Sequence, residues 1–550
     1  MKILSIHFGH DSSVCLYDDS VVEKYFLVER FTGKKHDYDF YKILDKVFFN
    51  INEKIDIICI SWIALPIFTF DYDYYENKII PVIFDNYKKY NKNLKLIINS
   101  DHHLNHAFQS FYNSGFDESI VVVVDGSGSF VEKNLVEVES IFLFDKKNHR
   151  LLYKNVVEKF SSSSLPWDNK FKPISTKYDH KNIFGIGGLY DIAAILTGNT
   201  QDDCGKAMGL SSYGTPNDYF KNLFLEKNKL NNDFFKNSSI EIKKFLKNPT
   251  KNITKENYKL YADFCYEVQS QTQKSVGDLI EDYIEKTGIR KVCISGGYGM
   301  NIVANHYYLE RFSDVEFHFE PICNDSGVSI GSAILTYTQL TKKTHTPIET
   351  TSFHGIKYDV SSHKGKTTTI KEIANLLYLN KSIAVYSGLS EAGQRALGNR
   401  SIFFNALNLH AKDILNKIKK REWYRPFAAV VLEEDANIYF DMGKIKSSPF
   451  MTVCFPVRQK FIKIIPGVVH VDNTCRIQTV SKKHSYLYEI LTEFKKLTGH
   501  GILLNTSFNL AGNPLVETPQ DAINTLNNSC LDYLWFEETQ QLIRSNLEYV

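Results

Sequence analysis

The sequence predicts an α/β protein in two domains, and three observations carry that expectation. The chain has 550 residues with 43% hydrophobic content, too long for one ordinary core and apolar enough to fill two or three. Short β-branched segments that end at Gly or Asp alternate with segments of helical periodicity. One polar, Thr-rich stretch, Leu340 to Gly355 with Pro347 inside it, interrupts the alternation. It is the expected linker, and it puts the domains at 1–345 and 346–550.

Taken in order, Lys2–Ile6, Ser13–Tyr17 and Val21–Leu27 read as a strand meander. Ile57–Ile60 and Lys95–Ile98 read as buried strands. Asp101–Ser114 has helical character, with Gly115 as its stop. Ile120–Val124 is a fully buried strand that ends at Asp125. The region 220–258 is rich in Lys and Asn and predicts a solvated excursion. An apolar stripe from Phe264 through Ile284 then predicts an amphipathic helix closed by Gly288. Strands follow at Lys291–Ser295 and Val315–Phe319, with a helix of small residues from Gly327 to Thr336. Beyond the linker come a helix at Ile370–Leu379 and a strand at Ser382–Tyr386, and the alternation resumes. No short-period repeat is present.

Composition excludes several classes. With 65 Lys and Arg against 63 Asp and Glu, the formal charge of +2 gives no long-range attraction to nucleic acid or anionic membrane. A nucleic acid stays open only as an acceptor recognised through a local patch. The nine cysteines lack metal or disulfide spacing, which suits reduced thiols in a cytoplasm. The start, MKILSIHFGHDSS, lacks the apolar run of a secretory signal. Apolar runs such as Ile120–Val124 fall well short of the roughly 18 residues of a membrane span.

Four constellations carry chemistry. In HHLNHA, His102 and His106 would share one helix face and can grip one metal ion, although such a pair also fits surface or capping histidines. Asp125, after a VVVV strand, and Asp325, in CNDSG before a helix, stand where open α/β folds gather ligands. Two His and two Asp suit a divalent transition metal. Glycine-containing turns come second: Gly126, Ser127 and Gly128 in DGSGS, then GIGGLY at 185–190, then Gly296, Gly297 and Asn301 in GGYGMN. Glycine lets backbone N–H groups approach phosphate, while DG alone also fits a hairpin. Third, His10 with Asp11 in GHDSS offers an imidazole that titrates near neutrality, or a turn. Fourth, Arg395, Arg400, Arg421, Arg425, Arg476, Asn505, Ser507 and Asn509 lie among apolar and small residues. A converging set of guanidinium forks implies a phosphorylated substrate; structural ion pairs are the alternative.

The series GHDSS, HHLNHA, VDGSGS, GKAMGLSSYG, SGGYGMN, CNDSG, RALGNRS, REWYRPF, HVDNTCRIQTV and NTSFN runs nearly end to end. In that order it resembles the O-carbamoyltransferases of nodulation-factor and antibiotic biosynthesis, tobramycin carbamoyltransferase among them. The resemblance implies an amino-terminal actin-like ATPase (Kae1-like) domain, akin to the enzyme that attaches threonylcarbamoyl to tRNA. A YrdC-like α/β domain that forms carbamoyl adenylate would follow. It implies carbamoyl phosphate and ATP as substrates and an acceptor with a free hydroxyl, a sugar or natural product by family habit. The implied metal ligands are His102, His106, Asp125 and Asp325, holding ferrous ion, with magnesium possible alongside ATP. Phosphate contacts fall to Arg395, Lys419, Arg421, Arg425, Arg476, Ser507 and Asn509, and Lys206 becomes a phosphate or acceptor contact. One departure is local: Ala428 and Ala429 follow RPF where the family usually has Ala-Pro. Threonylcarbamoyl transfer to tRNA and a non-catalytic actin-like ATP switch are the competing readings; near-zero net charge weighs against the first and the unused arginine set against the second.

Overall fold

A computed structural model of the chain describes residues 1–62, 72–132, 135–158, 184–200, 203–226, 229–231, 253–343 and 352–546. Part of the expected linker, and most of the Lys-rich excursion, lie outside the described residues. The fold is mixed α/β and divides into two units, Met1–Thr32 with His36–Thr351, and Gly33–Lys35 with Ser352–Val550.

Among the described residues the first unit holds two large sheets and one small ribbon. Strands β1 (Lys2–Phe8), β2 (Ser13–Asp18) and β3 (Val21–Leu27) form an antiparallel meander, and β4 (Ile57–Trp62) and β5 (Lys95–Ile98) add in parallel beside β1. The order is β3-β2-β1-β4-β5. The second sheet is built on β6 (Glu118–Val124). It pairs antiparallel with β8 (Leu135–Asp145), which carries the short β7 (Phe130–Glu132) and also pairs with β9 (His149–Glu158). On the other side β12 (Lys291–Ser295) and β13 (Glu316–Phe319) add in parallel. A two-stranded ribbon, β10 (Phe224–Glu226) with β11 (Lys229–Leu230), stands apart.

Read outward from β1 and from β6, the two sheets share one topology. Two strands follow antiparallel on one side and two parallel on the other. The chain therefore contains a structural duplication that leaves no short-period repeat in the sequence. Parallel strands are covered on both faces, which explains the continuous burial of β1, β4 and β6, Ser5, His7 and Ser61 included. Strand β5 departs from expectation: it is the outermost strand of its sheet, and Leu96 and Ile98 are exposed rather than buried.

Two helices fill the space between these sheets. Helix His102–Ser114 packs on β6 and β12, helix Val328–Thr341 packs on β1, β2 and β4, and the two pack on each other. Their approach depends on Gly331, where an added Cβ would stand 2.0 Å from the carbonyl oxygen of Asn105. Helix Tyr258–Thr287 ends at Gly288 in the left-handed conformation, the stop that its sequence predicts.

The second unit is one sheet of nine strands: β14 (Lys366–Thr367), β15 (Ile383–Tyr386), β16 (Arg400–Asn405), β17 (Ala428–Leu432), β18 (Cys454–Pro456), β19 (Thr474–Val480), β20 (Ile502–Ser507), β21 (Tyr533–Phe536) and β22 (Gln541–Arg544). Their order is β14-β22-β21-β15-β16-β20-β17-β19-β18. Helices Ile370–Tyr378 and Ser485–Thr498 pack together over a core that includes Phe403, Leu487, Phe494, Leu503 and Trp535. Each buried Leu or Phe there contributes about 1.5–3 kcal/mol. No described helix is long and apolar enough to cross a membrane.

Candidate functional site

Helix His102–Ser114 begins where the side chain of Asp101 accepts from the N–H of Leu104 at 3.0 Å, and it ends at Gly115 with φ 71°. Spacing by four puts His102 and His106 on one face, both fully buried, with Nε2 atoms 3.1 Å apart. Asp125 arrives at the end of β6, and its Oδ2 lies 3.4 Å from each Nε2. Asp325 arrives on the turn before helix Val328–Thr341, and its Oδ1 lies 3.3 Å from His102 and 3.6 Å from His106. Donors about 2.1 Å from a transition metal stand about 3.0–3.4 Å from each other, so the four atoms sit near the corners of a coordination polyhedron.

The second oxygen of Asp125 is fixed by backbone. Oδ1 accepts from the N–H of Gly126 at 2.8 Å and of Gly297 at 3.2 Å, which leaves Oδ2 to face the imidazoles. A Cβ at Gly297 would stand 2.9 Å from that Oδ1. Burial pushes Asp125 and Asp325 upward, but the imidazoles outweigh it; Asp125 is held well below the carboxylate range and Asp325 at about 2. For His102 burial lowers the pKa, and Asp325 and Asp125 carry it up to about 10. His106 is raised in the same way, yet two Nε2 atoms at 3.1 Å cannot both carry a proton toward each other. A divalent cation resolves that conflict, and the donor set fits one.

The glycine turns divide. DGSGS is no two-residue hairpin, because β6 pairs with β8 rather than with the strand that follows the turn. Gly296, with φ 83°, brings a backbone so close to β6 that a Cβ would stand 2.3 Å from the carbonyl oxygen of Val124. GIGGLY is not a turn: Ile186–Leu196 is a helix, and Gly187 lets its first turn lie on the carbonyl of Asp125, 2.5 Å from where a Cβ would be. Asn301 caps helix Ile302–Arg311, accepting from Ala304 at 3.0 Å, and its amide donates to Tyr190 and Gln269. Lys206 lies on helix Cys204–Ser211, facing Asn199 at 3.0 Å and Asp203 at 3.2 Å, and does not join the four donors.

His10 and Asp11 close the loop after β1, where His10 Nδ1 lies 3.2 Å from Asp11 Oδ2. Burial raises Asp11, but His10 and His36 together hold its carboxyl well below the usual range. His36 is a residue that motif reasoning missed; no spacing in FTGKKHD connects it to GHDSS. His7 was missed too: its ring centroid is 5.6 Å from that of His102, and burial drives its pKa to about 3, so it stays neutral.

The second unit gathers cations. Lys419 Nζ donates to the carbonyl and hydroxyl of Ser507, and to the carbonyl and side-chain oxygens of Asn509 at 2.9 and 2.8 Å. Burial and then Arg421 and Arg425 press Lys419 downward; burial, then Arg425, does so for Arg421; burial, then Arg395 with a smaller part from Arg425, does so for Arg476. The five side chains thus feel one another's charge, with Glu422, 3.7 Å from Arg425, as an acidic neighbour. Two of the sequence candidates stand outside this set. Arg400 is fully buried, donates to the carbonyls of Ser387, Asn399 and Gly388, and lies 3.6 Å over the ring of Tyr386. Asn505 donates to Gln478 at 2.9 Å and to the carbonyl of Ala396 at 3.3 Å, bracing the loop that follows Arg395.

Residues 59–334 match a family model described as carbamoyltransferase N-terminus, and residues 374–542 match one described as carbamoyltransferase C-terminus. The chain belongs to the carbamoyltransferase family. The four donors lie inside the first match and the cation cluster inside the second, whereas His10, Asp11 and His36 precede both. Among relatives, nodulation protein NolNO of Sinorhizobium fredii is 29% identical over 453 residues, covering 79% of this chain and 62% of that protein. The chain thus spans under two thirds of NolNO. An uncharacterized protein of Methanocaldococcus jannaschii is 29% identical over 463 residues, 80% of this chain and 72% of its own. Nodulation protein U of Rhizobium tropici is 34% identical over 253 residues, 45% of this chain and 43% of its own. Of solved structures, HypF of T. kodakarensis covers 64% of this chain and 50% of that one at 12% identity with a TM-score of 0.41, too low a likeness to carry an argument.

Proposed function

We propose that this carbamoyltransferase-family chain is an ATP- and metal-dependent O-carbamoyltransferase with its labour divided between residues 346–550 and 1–345. The observation that carries the reading is the meeting of His102, His106, Asp125 and Asp325 in a chain that matches both carbamoyltransferase models. The doubled strand topology supports an actin-like ATPase assignment for the first unit. The YrdC-like assignment of the second rests on the family resemblance, by which Lys419 with Arg421 and Ser507 with Asn509 correspond to two residue pairs of adenylate-forming domains.

In the second unit, water would cleave carbamoyl phosphate to carbamate and inorganic phosphate, and the carbamate oxygen would attack the α-phosphorus of ATP to give carbamoyl adenylate with pyrophosphate as the leaving group. Lys419, Arg421, Arg425, Arg476 and Arg395 form a cluster of like charges whose mutual repulsion a phosphate relieves. Ser507 and Asn509 hold the Lys419 ammonium in place.

In the first unit the acceptor hydroxyl attacks the carbamoyl carbon. Its oxygen bonds to that carbon, its proton passes to His10, and the bond from the carbon to the phosphate oxygen breaks as AMP leaves with the electron pair. Asp11 orients His10 and stabilises the imidazolium that forms. A divalent cation held by the four donors, ferrous ion by family resemblance, would supply positive charge to the leaving phosphate. The DGSGS and GGYGMN segments are the proposed phosphate neighbours beside it, although the N–H groups of Gly126 and Gly297 serve Asp125, that of Gly128 serves the carbonyl of Glu137 and that of Asn301 serves the carbonyl of Tyr298. The acceptor is a hydroxyl on a sugar, another natural product or a hydroxymethylated nucleotide.

The test is incubation with carbamoyl phosphate, ATP and ferrous ion against a mixture of such acceptors, with mass spectrometry reading the gain of one carbamoyl group. Pyrophosphate release that ignores carbamoyl phosphate would overturn the reading.

A further inference from the structure

One carboxylate serves two imidazoles at the end of β1. His36 Nδ1 lies 2.8 Å from Asp11 Oδ1, and His10 Nδ1 lies 3.2 Å from Asp11 Oδ2. The imidazole rings stack, with centroids 4.7 Å apart and planes 17° from parallel. Asp11 and His36 both occupy left-handed backbone, φ 54° and 57°, which costs a non-glycine residue about 1 kcal/mol or more. Both ends of one hydrogen bond are therefore held in a conformation that neither residue favours. The surroundings hold them there: Asn324 donates to Asp11 Oδ2 at 2.7 Å, and the backbone N–H of His36 donates to Glu29 at 2.9 Å.

We infer that His36 is a positioning residue of the transfer step, occupying one oxygen of Asp11 so that the other is presented to His10. The inference rests on His10 acting as the base. With its Nδ1–H given to Asp11, His10 is fixed in the tautomer whose Nε2 accepts the hydroxyl proton. A carboxylate that also accepts from His36 stabilises the His10 imidazolium less than one serving His10 alone, so His10 stays unprotonated to lower pH. Two titratable groups near the trio stay neutral: burial drives His7 down to about 3 and pushes Tyr25 far above the usual phenol value. The other charged groups there are Glu29, which accepts from the N–H of His36, and Arg30 near Tyr25.

The decisive measurement is the titration midpoint of His10 in the full chain, followed by NMR with histidine-selective carbon-13 labelling and assigned by loss of the signal in His10→Gln. His36→Phe keeps the stacked ring and removes the N–H; it is expected to raise the midpoint by roughly one unit. His36→Asn restores a donor at the same place and is expected to return the midpoint to within roughly a quarter of a unit of wild type. An unchanged circular-dichroism spectrum and melting transition serve as the check that each variant is folded, because pyrophosphate release reports on the second unit. An unmoved midpoint in His36→Phe overturns the inference. So does loss of one equivalent of bound metal in that variant, because His10, Asp11 and His36 also form a possible three-donor cation site. Failure of the base reading is seen elsewhere, as undiminished carbamoyl transfer by His10→Gln in the acceptor mixture.

Discussion

The side-chain amide of Asn324 donates a 2.7 Å hydrogen bond to Asp11, 313 residues earlier in the chain. The next residue, Asp325, faces His102 and His106. Consecutive residues on one turn thus tie the His10 loop to the four-donor centre. Ser326 braces the turn, its hydroxyl donating to Asn324 at 2.7 Å and its carbonyl accepting from Tyr25 at 2.6 Å.

Asn324→Ala should leave Asp11 with one donor fewer while adenylate formation continues. A hydrogen bond to a charged group contributes about 1.5–3 kcal/mol, so transfer should fall by roughly 10- to 100-fold. Rates of carbamoyl gain and of pyrophosphate release, measured on the same preparation, check the split; equal losses in both would point to misfolding instead.

His106→Ala removes one of four donors from a fully buried site. Bound metal, counted by elemental analysis of the purified chain, should drop by about one equivalent, and transfer should fall by 100-fold or more on the scale of mutations at metal centres. Pyrophosphate release should persist. Treatment of wild type with a chelator should reproduce this pattern, and ferrous ion should reverse it.

Arg476→Ala should act in the opposite order. Its guanidinium is buried beside Arg395 and Arg425, so its loss weakens the phosphate site before anything in the first unit. A rise of roughly tenfold or more in the KM for ATP or carbamoyl phosphate, read by pyrophosphate release, is the expected outcome. Metal content should not change.

Gly331→Ala tests the packing that aligns the donors. The new methyl would stand 2.0 Å from the carbonyl oxygen of Asn105, one residue before His106, so the two central helices must separate. Overpacking of this kind costs about 1–3 kcal/mol. The melting temperature should fall, and metal affinity should fall with it.

Much of the site could be read before any coordinates, and the unread part has a physical cause. His102 and His106 share a face because they are four apart in a helix whose stop, Gly115, is written beside it. Asp125 and Asp325 were legible as ligand candidates from their places at a strand end and before a helix; that both face one helix is a matter of the fold, because residue spacing does not say that two loops 200 residues apart meet there. Arg400 and Arg425 look alike in sequence, yet only one joins the cation cluster. Which way an arginine points depends on the carbonyls its strand end happens to meet.

The sequence alone determined what acts over a few residues: the strand and helix runs, the glycine stops after Ser114 and Thr287, and the pairing of His102 with His106 on one helix face. Only the tertiary structure decided that the first unit repeats one sheet topology, that Lys95–Ile98 is an exposed edge, and that His36 reaches Asp11. Periodicity and capping are written into neighbouring side chains. Contacts across tens to hundreds of residues arise only when sheet order and helix packing bring the loops together.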